Sequence, residues 1–224
     1  DWLRRLGIRV EHDNMLEFRI PGGQHYHAFE RSIPADFSSA TFFLAAGALS
    51  GNSVVSEGLD MTDTQGDRAV VDYLRQLGAS IEVSENSVRI SADRLKGCEL
   101  DLNATPDALP MMAVLACFAE GTTRLVNVPQ ARIKETDRIA VMKKELERLG
   151  ARLEELPDGL VIHEAKLSGA DVEGHGDHRV VMALAVAGCS IGGRTVIHGS
   201  EPARVTCPTF IDRLAGIGGR LIPA

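Results

Sequence analysis

A chain of 224 residues with 44% hydrophobic content has enough apolar side chains to fill one large domain, or one and a half smaller ones. Its net charge of −7 argues against a general nucleic-acid or membrane-surface role, so any basic patch has to be local and specific. The longest apolar runs, such as Val180–Gly188, fall far short of the roughly 20 residues that span a bilayer.

The chain begins at Asp1 without methionine or a signal-type segment, and its first residues read as mid-fold, which predicts a fragment of a longer protein. Trp2–Leu6 reads as a helix end followed by Gly7, Ile8–Val10 and Leu16–Ile20 as two short strands, and Pro21-Gly22-Gly23 as a turn. None of this makes a complete core. From Asp36 a repeat begins. The stretches D-F-S-S-A-T-F-F-L-A-A-G-A-L-S-G at Asp36, P-D-A-L-P-M-M-A-V-L-A-C-F-A-E-G at Pro106 and D-H-R-V-V-M-A-L-A-V-A-G at Asp177 are alike, and Asp36, Asp107 and Asp177 stand 71 and 70 positions apart.

Each stretch opens with an aspartate suited to capping N–H groups and continues as about three turns of almost wholly apolar helix, which has to be buried on all sides. Capping alone accounts for Asp36, whereas Asp107 and Asp177 sit beside other charge. A strand-like run follows each helix, at Asn52–Val55, Thr122–Val126 and Arg194–Ile197. An amphipathic helix ending in leucine and glycine comes next, at Tyr73–Gly78, Leu146–Gly150 and, more weakly, Arg213–Gly218. Two strands close the first two units, Ser80–Val83 with Val88–Ile90 and Arg152–Glu154 with Leu160–His163. The unit is βαβαββ and the class α/β: three repeats wrap their sheets around a bundle of three buried central helices. In the third unit the last strand, Arg220–Pro223, meets the end of the sequence, so that unit is expected to lack strands. Cys98, Cys117, Cys189 and Cys207 show no metal-ligand spacing, and Cys117 and Cys189 lie in apolar runs, which predicts reduced thiols in a cytoplasmic, disulfide-free protein.

The chemistry concentrates in Ala131–Arg138, A-R-I-K-E-T-D-R, which runs into a helix whose apolar face is Ile139, Met142, Leu146 and Leu149 and whose cap is Gly150. Lys134 and Arg138 therefore bracket a helix N-terminus, the wrong end for cations because the macrodipole is positive there and the first N–H groups are unpaired. An anion held between those side chains and amides resolves the conflict. The plainer arrangement is a local i,i+3 pair between Glu135 and Arg138 with Lys134 solvated.

With D-F-S-S-A at Asp36, Q-G-D at Gln65, T-P-D-A-L at Thr105, R-I-K-E-T-D-R at Arg132, G-D-H-R-V-V-M at Gly176 and C-P-T-F at Cys207, nearly the whole chain resembles the 5-enolpyruvylshikimate-3-phosphate synthase family of the shikimate pathway. The resemblance implies two domains of three βαβαββ units with the site in the cleft between them. On that reading residues 1–29 are a remnant of the N-terminal domain and residues 30–224 are the enolpyruvyl transferase C-terminal domain. The implied reaction moves an enolpyruvyl group from phosphoenolpyruvate to shikimate 3-phosphate through a tetrahedral intermediate and releases phosphate, with no metal and no organic cofactor. The implied partners are those two small molecules and the missing N-terminal domain, with no nucleic acid and no membrane. Asp107 is the implied base toward the shikimate hydroxyl, Glu135 the acid and base at the methylene carbon, and Lys134 a bridge between the substrates. Arg138 and Arg179 match the arginines that hold the phosphoenolpyruvate carboxylate, and Gln130 matches a position that touches shikimate 3-phosphate. His178 reads as a neutral hydrogen-bonding partner or as a second proton carrier. Arg204, an implied contact to the phosphate, stands where many members carry lysine, and arginine keeps the charge without lysine's point geometry. The fragment alone is expected to be inactive. Two alternatives stay open: a half of the related UDP-N-acetylglucosamine enolpyruvyl transferase, and a non-catalytic anion-binding repeat domain.

Overall fold

The structure, a computed structural model, describes residues 1–49 and 51–222. It divides into two compact units, Asp1–Pro34 with Thr62–Thr64, and Ala35–Met61 with Gln65–Ala224.

In the first unit, helix α1 (Trp2–Arg5) precedes an antiparallel hairpin of β1 (Glu11–Asp13) and β2 (Glu17–Arg19). The expected strand at Ile8–Val10 lies three residues further on. The Gln24 side chain takes the place of a partner strand by accepting from Arg9 N–H at 2.7 Å and donating to the Arg9 carbonyl at 3.2 Å. Pairing starts at Glu11 because the turn sits at Asn14 and Met15, both at positive φ, with Leu16 N–H donated to the Asp13 carbonyl at 2.8 Å. Ile8 is the one buried apolar side chain among the described residues of this unit.

The second unit carries the repeat. It runs α2 (Phe37–Ala48), β3 (Ser53–Glu57), α3 (Val70–Gln76), β4 (Ser80–Val83), β5 (Ser87–Ser91), β6 (Glu99–Asp101), α4 (Leu109–Phe118), β7 (Thr122–Val126), α5 (Arg138–Arg148), β8 (Arg152–Leu156), β9 (Gly159–His163), β10 (Asp171–Glu173), α6 (His178–Ser190), β11 (Val196–His198), α7 (Ala203–Thr206) and α8 (Phe210–Gly216). Helices α2, α4 and α6 are the three expected apolar helices, and each packs against the other two. Their side chains, among them Phe42, Leu44, Met111, Met112, Leu115, Met182 and Leu184, are essentially withdrawn from water. A helix apolar on every face is stable only inside such a bundle, where each Leu or Met removed from water contributes about 1.5–3 kcal/mol.

Only the middle repeat is complete among the described residues. Its strands form a sheet in the order β6-β7-β9-β8, with β6 parallel to β7 across α4 and the rest antiparallel. Among the described residues the first repeat contributes β3-β5-β4 and no strand before α2, and the third contributes the parallel pair β10-β11 and no closing hairpin. Strands β6 and β10 leave no sequence pattern, since three-residue strands with one buried position each are too short to show alternation. Residues 220–222 of the expected last strand are not a strand, and Pro223 lies outside the described residues. The third repeat nonetheless closes on the first, because Phe210 of α8 stacks edge-on against Phe42 of α2 with centroids 6.1 Å apart. All four cysteines are free thiols, and burial pushes Cys117 up to about 12. Among the described residues no helix is long and apolar enough to cross a membrane.

Candidate active site

The three repeat aspartates do not behave alike. Asp36 caps α2, its carboxylate accepting from Ser38 and Ser39 N–H at 3.0 and 2.9 Å. Asp177 caps α6, accepting from Arg179 and Val180 N–H at 2.8 and 3.3 Å. Asp107 caps nothing, contrary to expectation: Pro106 opens a 3-10 turn, Pro106–Ala108, that displaces it from the cap position. The turn is held by Thr105, whose buried hydroxyl meets Tyr73 Oη of α3 at 2.7 Å.

The carboxylate thus released enters a cluster of charges. Arg138, the first residue of α5, is at its centre and its side chain is 0% exposed. Its Nε donates to Asp177 Oδ2, one Nη to Asp107 Oδ1 and the other to Glu135 Oε2, each at 2.7 Å. Lys134 Nζ lies 3.3 Å from Asp107 Oδ1, and Arg179 contacts Asp107 Oδ2 at 3.2 Å. The anion expected near Lys134 and Arg138 is therefore supplied by the protein's own carboxylates. One of the unpaired N–H groups of α5 is met by the Asp137 side chain, which accepts from Ala140 N–H at 3.1 Å. The local Glu135–Arg138 pair does form, but Lys134 is paired with Asp107 rather than merely solvated.

Electrostatics follow from this packing. Burial opposes ionisation of Asp107, yet Arg179, Arg138 and Lys134 hold its carboxyl below the usual range. Burial of Arg138 works against its charge, but Asp177, Glu135 and Asp107 more than offset that and raise its pKa. His178 Nδ1 is 3.6 Å from Glu135 Oε1, and burial together with Arg179 pushes its imidazole below the ordinary histidine value, so it is neutral at pH 7. With three cations facing Asp107, Glu135 and Asp177, the cluster is internally balanced rather than basic. Gln130, in the turn Pro129–Ile133, donates to the Asn103 carbonyl at 2.8 Å and leaves its amide oxygen buried with no hydrogen-bond partner among the described residues. Arg204, exposed on α7, is not brought into contact with the cluster.

Three further residues lie in or beside the site, and sequence reasoning gave them no role. Arg132 pins the loop that carries Lys134 and Glu135 to the β8–β9 turn, donating to Asp137, Glu155 and the carbonyls of Leu156 and Pro157 at 2.7–2.8 Å. Asp67, in the Q-G-D stretch, is half-buried and is pushed up by burial and then by Asp107. Glu145 is fully buried on the apolar face of α5 between Met142 and Leu146, and a charged residue on that stripe was the available signal.

Residues 1–214 match the family model described as EPSP synthase (3-phosphoshikimate 1-carboxyvinyltransferase). A 3-phosphoshikimate 1-carboxyvinyltransferase of Ruminiclostridium cellulolyticum is 56% identical over 98% of this chain and 52% of its own length. One from Acetivibrio thermocellus is 53% identical over 97% of this chain and 51% of its own length. The solved EPSP synthase of Acinetobacter baumannii superposes with a TM-score of 0.85 at 28% identity, covering 97% of this chain and 53% of that one. The chain spans about half the length of the curated relatives it matches.

Proposed function

The chain belongs to the EPSP synthase family, and from that premise we propose that it forms the C-terminal half of an enzyme that transfers enolpyruvyl from phosphoenolpyruvate to shikimate 3-phosphate and releases phosphate. The observation that carries the reading is Asp107, the one repeat aspartate that leaves its cap and turns an ionised carboxylate toward Lys134, Arg138 and Arg179.

The shikimate hydroxyl adds to the central carbon of phosphoenolpyruvate while the methylene carbon gains a proton; elimination then expels phosphate and returns that proton. Asp107 is the base toward the hydroxyl. Three cations keep it a weak base, and substrate phosphate and carboxylate groups that draw off Lys134 and Arg179 raise its basicity. Lys134 bridges the two substrates. Arg179 is positioned to grip a substrate carboxylate, and Arg138 joins it only by exchanging Glu135 for that carboxylate. The same exchange frees Glu135 to act at the methylene carbon, with neutral His178 beside it. Gln130 reaches shikimate 3-phosphate only if its buried amide turns out from its hydrogen bond to the Asn103 carbonyl. Arg204 is the proposed further contact to a substrate phosphate.

An internally balanced cluster cannot by itself offset the charge of two phosphorylated substrates, so the remaining cations come from an N-terminal domain of which residues 1–29 are the end, residues 30–224 forming the C-terminal domain. The proposed setting is the cytoplasm, supported by four unpaired cysteines. The test is phosphate release from phosphoenolpyruvate plus shikimate 3-phosphate by the full-length protein and by this chain alone. Turnover by the former and none by the latter is expected. Absence of turnover in the full-length protein, with anion binding intact, would instead support the non-catalytic alternative.

A further inference from the structure

We propose that Glu145 and His175 are positioning residues that fix the approach to α6, so that Asp177, His178 and Arg179 arrive in register with Arg138.

The segment between β10 and α6 is short and unusual. His175 and Gly176 have φ of +51° and +70°, two consecutive left-handed residues, and the first is not a glycine. Gly174 before them is pressed against its surroundings, with N–H donated to the His198 carbonyl at 2.8 Å and no room for a side chain. A backbone held in this shape needs neighbours that determine it, and α5 supplies them. Glu145 Oε2 accepts from the Glu173 N–H at 3.0 Å, and Glu145 Oε1 meets His175 Nε2 at 2.8 Å. Arg148, at 3.0 Å, and Lys144, at 3.8 Å, complete its surroundings. Burial opposes its ionisation, but His175, the Glu173 N–H and Arg148 hold it below the usual range, so the clamp carries a full charge at neutral pH.

The spacing gives the clamp its purpose. Arg138 and Glu145 are seven residues apart on α5, about 10.5 Å along one helix face. Arg138 grips Asp177 at one end and Glu145 grips Glu173 and His175 at the other. One attachment would locate the segment and leave it free to pivot; two fix its direction, and hence where His178 and Arg179 point. Neither Glu145 nor His175 reaches the Asp107 cluster itself.

The role in catalysis rests on the enolpyruvyl-transfer reading, whereas the positioning does not, and the experiment separates them. His175→Gly keeps a backbone suited to positive φ and deletes the imidazole; Glu145→Gln keeps the shape and deletes the charge. In this chain alone, both variants are expected to shift and accelerate exchange of the Asp177–Val180 amides in nitrogen-15 NMR spectra while the α2 and α4 amides stay put. In the full-length protein both are expected to lower kcat/KM for phosphoenolpyruvate by about ten- to a hundredfold, the scale of a misplaced contact. Unmoved Asp177–Val180 amides and an unchanged kcat/KM, whatever the loss of stability, would overturn the proposal. Should Glu145→Gln fail to fold, His175→Gly decides. Moved amides with a full-length protein that performs no enolpyruvyl transfer would uphold the positioning and reject the activity.

Discussion

Replacing Arg138 by alanine should damage the fold before it damages binding. Resemblance alone suggested a cation facing substrate, whose loss raises an apparent Michaelis constant; the structure gives it a second role, as the partner of Asp177, which is itself 0% exposed. Arg138→Ala leaves that carboxylate buried with two backbone N–H donors and no counter-charge. Removing one member of a buried pair costs about 3–5 kcal/mol. In a chain of this size each kcal/mol lowers Tm by about 2–4 °C, so the expected drop is roughly 6–20 °C. Arg132→Ala is the control: its partners Asp137 and Glu155 are 38% and 36% exposed, and such pairs contribute about 1 kcal/mol or less each. Thermal melts followed by circular dichroism measure both. Adding Asp177→Asn, which keeps the cap and removes the charge, should recover part of the Arg138→Ala loss, a coupling that a double-mutant cycle reads directly. An Arg138→Ala chain melting within about 2 °C of the parent would refute the reasoning.

The same charges set the response to acid. Asp107 and Glu145 are held below their ordinary values of 3.8 and 4.5, so each contributes stability that is present above those values and lost as pH falls through the folded ones. Asp67, held above its ordinary value, works in the opposite sense. Urea midpoints should therefore fall below about pH 4.5, and less steeply in Glu145→Gln; equal slopes would remove Glu145 from the account. Gly174→Ala would place a Cβ 2.5 Å from both the Gly199 carbonyl oxygen and Val181 Cγ2, an overpacking that costs about 1–3 kcal/mol. Melts should show it less stable than Gly176→Ala, which meets open space and suffers only the left-handed backbone.

What was legible in the sequence had a strong local cause. The helices at Phe37, Leu109 and His178 could be read because an all-apolar helix has one stable environment, and the hairpins of the first two repeats because alternation survives over four or five residues. Strands β6 and β10 were invisible because three residues carry no period. In the site, residue types were readable and pairings were not. Nothing local says that Arg138 is buried, since its carboxylates lie 3, 31 and 39 positions away. The Glu145–His175 contact spans 30 positions and belongs to no repeat-wide pattern. Asp107 went against its sequence reading: it was expected to cap as Asp36 and Asp177 do, and the turn opened by Pro106 displaces it.

The claim on which the rest depends is that Asp107 left its cap to move a proton. Asp107→Asn keeps the volume and removes the charge, so in the full-length protein kcat for phosphate release from phosphoenolpyruvate and shikimate 3-phosphate should fall by about 10²–10⁴. The Michaelis constant for phosphoenolpyruvate should change far less, because a proton-transfer group acts chiefly in the transition state. Near-normal turnover by a folded Asp107→Asn enzyme would contradict the account.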